Sequence, residues 1–259
     1  MIDIHCHILP EIDDGARNLE ETIEMCRVAS ADGIRTIVAT PHTHDGLYLN
    51  RMSHVRRLCK QVNEYLVSVN INITVLPGME VRVSGDSLAD LSRNSLPTLN
   101  ECDYILFEFP PSQIPNAFDA AVQSALDQGR KIILAHPEKN LAIEHDPAYV
   151  FQLLTMFKPW EVIIQITSDC LLGKCGEQAA KTAAILLEHN MAHVIATDAH
   201  DPMKRPPILS AGVEVVTRIV GEERARQMVT DIPRALIGKG TFPEYIFPQQ
   251  PRRWWRVWG

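Results

Sequence analysis

The most constraining feature of this sequence is a regular alternation of short apolar runs with longer amphipathic segments. The apolar runs predict seven strands, at residues 2–7, 36–40, 73–77, 104–109, 131–135, 162–167 and 193–197. Most of them are apolar throughout, which is typical of parallel strands buried on both faces. The spacing between them predicts helices at 18–33, 51–69, 116–128, 147–157, 176–190, 209–220, 222–228 and 233–238. Strand–helix repetition over about 240 residues predicts an α/β fold, a seven-stranded (β/α) TIM-like barrel, with a doubly wound open sheet as the alternative.

Composition and charge limit what such a domain can bind. The chain has 259 residues, of which 46% are hydrophobic, and a formal net charge of -7. An acidic surface does not suit duplex nucleic acid, so we expect no nucleic-acid partner. Neither a long apolar run nor a signal-peptide pattern is visible, and this predicts a cytoplasmic protein. We expect one domain over residues 1–248.

The last residues, 249–259, form a tail of different composition. Three Trp and three Arg fall within 252–258, which raises the hypothesis of peripheral membrane contact. The six cysteines are scattered through apolar patterns and predict reduced, packed thiols. Cys170 and Cys175 are close in sequence but do not form a C-x-x-C motif.

Residues that can bind metal ions follow six of the seven predicted strands. Because the carboxyl ends of barrel strands surround the active site, these side chains should converge there. The candidate ligands are His5, His7, Asp14, His42, Glu80, Glu108, His136, Asp198 and His200. Imidazole and carboxylate ligands suit Zn, Mn or Fe. Nine candidates are too many for one ion and suit two or three.

Alternation along the first strand refines this prediction. His5 and His7 are two residues apart, so both should point into the barrel mouth, and Cys6 should point toward the helices. Asp3 shares the inward face and is expected to orient a ligating imidazole. The Asp13-Asp14-Gly15 turn can return one carboxylate to the site, and His44, in the loop after His42, is a candidate to contact either a metal ligand or the substrate.

Other catalytic classes lack their motifs. No cysteine is followed by arginine six positions later, which excludes the C-x5-R phosphatases. The sequence contains no P-loop, no G-x-G-x-x-G and no G-x-S-x-G elbow. Nucleotide-dependent transfer and serine hydrolysis therefore have no support.

The motifs together resemble a known family. The opening Asp-Ile-His-Cys-His run with its Asp-Asp-Gly, Thr-Pro-His42, Pro-Gly-Met-Glu80, Glu108, Ala-His136-Pro-Glu and Asp198-Ala-His200 occur in order up to about residue 245. They are similar to those of the PHP-superfamily protein-tyrosine phosphatases, the bacterial manganese-dependent enzymes of capsule and exopolysaccharide synthesis. The resemblance implies a distorted seven-stranded barrel, the PHP fold.

The resemblance also implies three divalent ions, with Mn²⁺ preferred and Fe or Zn as alternatives. One ion would be held by His5, His7, Glu80 and Asp198. A second would be held by Glu80, Glu108 and His136, and the third by Asp14, His42 and His200. Arg205 matches a family arginine that contacts phosphate. Lys139 falls where the family has another such arginine, so it keeps the charge without the bidentate fork.

The activity implied is hydrolysis of phosphotyrosine, without a phosphoenzyme, by a hydroxide that bridges two ions. The expected partner is the phosphotyrosine tail of an autophosphorylated bacterial tyrosine kinase of polysaccharide export. Two alternatives remain open at this point. One is a small-molecule phosphoesterase such as a histidinol phosphatase, and the other is an inactive metal-binding regulatory scaffold.

Overall fold

The computed structural model describes residues 1–251. The seven predicted strands are all present, and two short strands that were not predicted, at His42–Thr43 and Glu80–Arg82, follow the second and the third of them. The resulting strands are β1 (Ile2–Cys6), β2 (Thr36–Ala39), β3 (His42–Thr43), β4 (Thr74–Pro77), β5 (Glu80–Arg82), β6 (Tyr104–Glu108), β7 (Lys131–Ala135), β8 (Val162–Thr167) and β9 (Val194–Ala196).

Every strand pairing in the described region is parallel, in two ladders ordered β1-β2-β4 and β3-β5-β6-β7-β8-β9. The barrel closes between its first and last strands. The backbone N–H of Asp198 donates to His5 O, and that of His7 donates to Ala199 O, both at 2.8 Å. The predicted distorted (β/α) barrel is confirmed, and the doubly wound sheet is wrong.

Eight helices occur where the spacing predicts them. Their bounds are α1 (Leu19–Ala31), α2 (Met52–Ser68), α4 (Phe118–Asp127), α6 (Ala148–Met156), α8 (Glu177–Glu188), α9 (Ser210–Val220), α10 (Glu222–Val229) and α11 (Asp231–Leu236). Three short helices were not predicted, namely α3 (Gly85–Ser92), α5 (Leu141–His145) and α7 (Ser168–Leu171). They lie after strands, in the loops that surround the carboxyl end of the barrel, together with a 3₁₀ turn at Pro137–Lys139.

Two layers of apolar side chains hold the barrel together. The inner layer includes Ile4, Leu106, Ile133 and Val194, and Leu236 of α11 packs into it. The outer layer lies between the strands and the helices and contains Cys6, which faces away from Ile4 because the pairing of β1 with β2 is irregular between Asp3 and Cys6. A filled interior leaves the carboxyl end of the strands as the place for a polar site.

One cysteine prediction is wrong. Cys170 and Cys175 form a disulfide with their Cα atoms 4.7 Å apart, because the α7 turn returns the chain on itself. The other four cysteines are free thiols. Burial raises the pKa of Cys26 and Cys59 to about 12, so these two are inert packing residues, as predicted.

No helix within residues 1–251 is both long enough and apolar enough to span a membrane. The Arg/Trp-rich segment at 252–258 lies outside the described residues. The membrane-contact hypothesis for it therefore stays a prediction, as does the domain boundary at residue 248.

Candidate metal centre

The structure brings all nine predicted ligand side chains to one site at the carboxyl end of the barrel. Each comes from a strand end or from the loop that follows it, and the nine fall into overlapping groups in which the donor atoms lie within 4.8 Å of one another. The sixth predicted strand, β8, brings no ligand; its contribution is Gln165. Convergence from separate strands is what the strand-end pattern predicts.

The deepest group has the spacing of a coordination shell. The Nε2 atoms of His5 and His7 are 3.2 Å apart, and Glu80 Oε2 lies 3.3 Å from each of them. Asp198 Oδ1 lies 3.5 Å from the first and 3.4 Å from the second. Ligands that bind one ion tetrahedrally at about 2.0–2.1 Å are separated by roughly 3.3–3.4 Å. The donor atoms of His5, His7 and Glu80 therefore fit a single divalent ion, whereas Asp198 shares a second donor group with His5 and His136.

Glu80 links this group to the rest of the site. Its Oε1 lies 2.7 Å from His136 Nε2, and its Oε2 lies 3.0 Å from His42 Nδ1. His42 Nδ1 is also 3.3 Å from Glu108 Oε1. Glu108 therefore shares a donor group with His42, whereas the resemblance implies that it shares one with His136. A carboxylate in contact with donors on several sides is suited to bridging two ions.

The outermost group contains Asp14, His42 and His200. Asp14 Oδ1 lies 3.5 Å from Nε2 of His42 and 3.4 Å from Nε2 of His200. His7 belongs to the same group of donors. The reason is that its ring stacks on that of His200, with the ring centroids 3.9 Å apart. Asp14 is the most exposed of the nine, so this group faces the open side of the cleft.

Three buried polar atoms in this cluster lie close to one another but form no hydrogen bond of acceptable geometry with any of residues 1–251. They are Glu80 Oε2, Glu108 Oε1 and His42 Nδ1. A buried acceptor without a partner is costly, and it is usually found where an ion or an ordered water binds. The orphaned atoms and the donor types both fit divalent cations at this site.

The electrostatics of the cluster support the same conclusion. Burial alone lowers the pKa of His42, but Glu108 and Glu80 beside it raise that pKa to about 10. Burial also opposes the charged form of His7, yet Asp13 and neighbouring carboxylates raise its pKa well above the usual value. Without cations, protonated imidazoles neutralise the carboxylates. A metal ion must displace those protons, so its binding weakens as the pH falls.

Neighbouring polar groups hold the inner imidazoles in place. His5 Nδ1 lies 2.9 Å from Gln165 Oε1, and His7 Nδ1 lies 2.7 Å from Asp13 Oδ2. Asp13 also accepts hydrogen bonds from the backbone N–H groups of Gly15 and His42, at 3.0 and 3.1 Å. Such partners fix the ring orientation that a metal ligand needs.

The prediction for Asp3 is wrong. Its carboxylate accepts hydrogen bonds from the backbone N–H and the hydroxyl of Thr197, at 3.0 and 2.5 Å, and from the backbone N–H of His5 at 3.3 Å, and within residues 1–251 no imidazole donates to it. Burial raises the pKa of Asp3 to about 6. These hydrogen bonds join β1 to Thr197, the residue before Asp198. They hold Asp198 in place where β1 and β9 close the barrel.

Two of the candidate ligands have left-handed backbone. His136 has a φ of 30° and Asp198 a φ of 51°, in a region that residues other than glycine adopt only at a cost. At Asp198 the N–H group donates to His5 O, which fixes this conformation. Backbone strain at functional residues indicates that the fold holds them in place for the site.

A cleft with a volume of about 230 Å³ lies above the cluster, and two cationic side chains border it. Arg205 Nη2 lies 2.9 Å from Asp198 Oδ2, and Lys139 Nζ pairs with the same oxygen. The side chain of Arg205 is 43% exposed and that of Lys139 is 27% exposed, so both also face the cleft. They stand where the resemblance places phosphate-binding residues.

Sequence reasoning missed two polar residues of the site. Arg82 lines the cleft, and its Nε lies 2.8 Å from Glu108 Oε1. The sequence indicates it by spacing: Arg82 lies two positions after Glu80 on the same strand, so the two side chains share one face of the sheet. Gln165 was visible as the one polar residue inside an apolar strand. His44 lies beside the cleft and pairs with Asp90 at 3.4 Å instead of reaching the cluster.

A parallel (β/α) barrel with clustered imidazoles and carboxylates at the carboxyl ends of its strands defines a metal-dependent hydrolase. The family described as "Capsular polysaccharide synthesis, CpsB/CapC" matches residues 1–238. The chain belongs to this family of metal-dependent tyrosine phosphatases of capsular polysaccharide synthesis. The resemblance drawn from the motifs is confirmed, and so is the enzyme class, a hydrolase.

Relatives support this assignment over almost the whole chain. Tyrosine-protein phosphatase YwqE of Bacillus subtilis (strain 168) is 37% identical over 252 residues, 97% of this chain and 96% of its own. Tyrosine-protein phosphatase CpsB of Streptococcus pneumoniae is 28% identical over 92% of this chain and 98% of its own.

Solved structures give the same result. A structure from work on YwqE and CpsB, described there as unique metal-dependent tyrosine phosphatases, superimposes with a TM-score of 0.89. It is 36% identical and covers 98% of this chain and 100% of the other. Histidinol phosphate phosphatase of Lactococcus lactis shares the fold at a TM-score of 0.52, with 13% identity over 96% of this chain and 97% of its own.

Proposed function

We propose that this chain hydrolyses phosphotyrosine in the tail of an autophosphorylated bacterial tyrosine kinase of polysaccharide export. The observation that carries the proposal is the placement of Lys139 and Arg205 on one rim of a nine-ligand cluster. A cleft of about 230 Å³ holds the phosphoaryl group, and a neighbouring cleft that shares Lys139, Asp198 and Arg205 leaves room for the chain that carries it. The kinase is inferred from the family's role in capsule synthesis.

The nine donors suit three divalent ions, and we infer Mn²⁺ because the set is rich in carboxylates and contains no thiolate. The four carboxylates Asp14, Glu80, Glu108 and Asp198 would leave the loaded site with a net charge of about +2, which attracts a phosphate dianion. When bound, such ions lower the pKa of water enough to supply hydroxide as a nucleophile at neutral pH.

The protein's own residues orient and neutralise the substrate. Arg205 offers a planar fork for two phosphate oxygens, and Lys139 adds a point charge at the same rim. Both already bind the carboxylate of Asp198, which holds their long side chains over the cleft. The phenolate of tyrosine, with a pKa near 10, is a tolerable leaving group, so a strong general acid is not required. The reaction needs no phosphoenzyme.

The test is a substrate panel on the metal-loaded protein. Phosphotyrosine peptides and 4-nitrophenyl phosphate should be hydrolysed much faster than histidinol phosphate. The opposite order of kcat/KM would favour a small-molecule phosphoesterase. No turnover of any aryl phosphate at full metal occupancy would favour an inactive regulatory scaffold.

Lys139 gives a sharper prediction. Replacing it with alanine should lower kcat/KM on a phosphotyrosine peptide at least about tenfold, or about 1.4 kcal/mol, whereas Lys139→Arg should keep most of the activity because the charge remains. The matched control is Lys181→Ala, which removes an exposed lysine of α8 that pairs with Glu177. If Lys139→Ala has the same kcat/KM as the parent protein on both the peptide and the aryl phosphate, Lys139 does not bind the phosphate.

A further inference from the structure

A short loop at the mouth of the metal cleft has a well-defined conformation. Residues 44–50, here called the rim loop, connect β3 to α2. Asp45 Oδ1 accepts hydrogen bonds from the backbone N–H groups of Leu47 and Tyr48 at 2.9 and 2.7 Å. The side-chain amide of Asn50 donates to Ile12 O and His42 O at 3.0 and 2.9 Å. These contacts fix the rim loop to the strand that carries a metal-ligand candidate.

The rim loop presents apolar side chains to solvent in a regular alternation. Leu47 is 85% exposed and Leu49 is 73% exposed, while Tyr48 between them turns back toward the site. The Tyr48 ring lies nearly parallel to the imidazole of His42, with ring centroids 6.3 Å apart. Because Leu47 and Leu49 are exposed, their side chains add little to the free energy of folding. Grouped exposed apolar residues beside a cleft are typical of binding surfaces.

A second cleft, of about 640 Å³, lies along this loop, and Arg82 lines both this cleft and the metal cleft. Its other lining residues include Val83 and Pro110, with the carboxylates of Asp45 and Asp86. Two carboxylates against one arginine do not favour an acidic ligand. The leucines, the valine and the proline favour an apolar one.

We propose that the rim loop binds an apolar side chain next to the phosphotyrosine of the substrate, so that Leu47 and Leu49 determine which phosphotyrosine sites are hydrolysed. The proposal rests on the phosphotyrosine activity proposed above. The phosphoaryl group would occupy the metal cleft, and the rim loop lines the cleft beside it, so substrate residues that flank the phosphotyrosine on that side would lie over the loop. Burying one leucine of the substrate against the loop supplies a selectivity of about tenfold.

The experiment uses the full metal-loaded protein and a set of phosphotyrosine peptides that are otherwise Ser and Gly. Each peptide carries one Leu at one of the four positions nearest the phosphotyrosine, and an all-Ser/Gly peptide is the reference. Each rate is divided by that of 4-nitrophenyl phosphate with the same protein. We expect at least one Leu peptide to exceed the reference in kcat/KM by about tenfold.

The double variant Leu47→Ser, Leu49→Ser should lose this preference. The matched control is Val67→Ser, which changes an equally exposed apolar residue near the end of α2, at the opposite end of the barrel. Equal rates on all peptides with the parent protein, or a preference that survives in the double variant, would overturn the proposal. A parent protein that hydrolyses no phosphotyrosine peptide would instead overturn the proposed function.

Discussion

Replacing Glu80 with glutamine should reduce turnover of a phosphotyrosine peptide at least about a thousandfold, or about 4 kcal/mol of activation free energy. Both carboxylate oxygens of Glu80 contact imidazoles, with His136 on one side and His5, His7 and His42 on the other. An amide keeps the volume but replaces one oxygen with a donor NH₂ and removes the negative charge. It therefore cannot bridge two cations.

The measurement pairs kinetics with elemental analysis of the same preparation. Bound metal should fall together with kcat, while the circular dichroism spectrum stays that of a folded α/β protein. Glu177→Gln is the matched control, since that carboxylate is exposed on α8 and pairs only with Lys181. Full metal content and parental kcat in Glu80→Gln would contradict a bridging role.

The second large effect should follow from a single added methyl group, in Gly15→Ala. A Cβ atom at Gly15 would lie 2.0 Å from His7 O and 2.6 Å from His7 Cβ. The chain must move away, and with it go Asp14 and the Asp13 carboxylate that orients His7. Displacement of site residues by about 1 Å can cost about a hundredfold in rate, and this is the loss of kcat/KM that we expect.

Gly85→Ala is the control for this substitution, because a Cβ atom there meets nothing within 4 Å. Kinetics and metal content should be measured for both variants, together with the thermal unfolding midpoint. Gly15→Ala should lose metal as well as activity, and overpacking should cost about 1–3 kcal/mol of stability. If both variants match the parent, the loop at residues 13–15 does not hold the site in place.

The convergence of the nine ligand candidates could be predicted from the sequence because strand ends are easy to locate in this chain. A parallel strand buried on both faces reads as an apolar run, and the first polar residues after it mark the barrel mouth. His5, Glu108 and Asp198 were all found in this way. The family resemblance then supplied the chemistry, which residue types alone leave open among several metals and reactions.

The grouping of the ligands could not be predicted, because it depends on side-chain reach. His42 contacts Glu80 and Glu108, and only the turn between β2 and β3 determines that. The partner of His5 is Gln165, 160 residues away. The prediction for Asp3 failed for a related reason: Ile2 and Ile4 beside it belong to the inner layer, and its carboxylate binds Thr197, 194 residues away. Long-range pairs of this kind follow from barrel closure, which local patterns do not describe.

The Cys170–Cys175 disulfide shows the same limit at short range. Four residues lie between the two cysteines, and their sequence context suggests packed thiols. The short helix α7 was not predicted, and its turn is what brings the two Cα atoms to 4.7 Å. Once that turn is known, the geometry allows the bond.

The most direct test of the metal-dependent mechanism is a titration of metal-free protein. The protein is treated with chelator, its metal content is measured, and hydrolysis of a phosphotyrosine peptide is followed as Mn²⁺, Zn²⁺ or Fe²⁺ is added. We predict no detectable turnover without metal and recovery as about three ions bind per chain, with Mn²⁺ giving the highest kcat. Undiminished turnover in excess chelator, with no metal found by elemental analysis, would contradict the account.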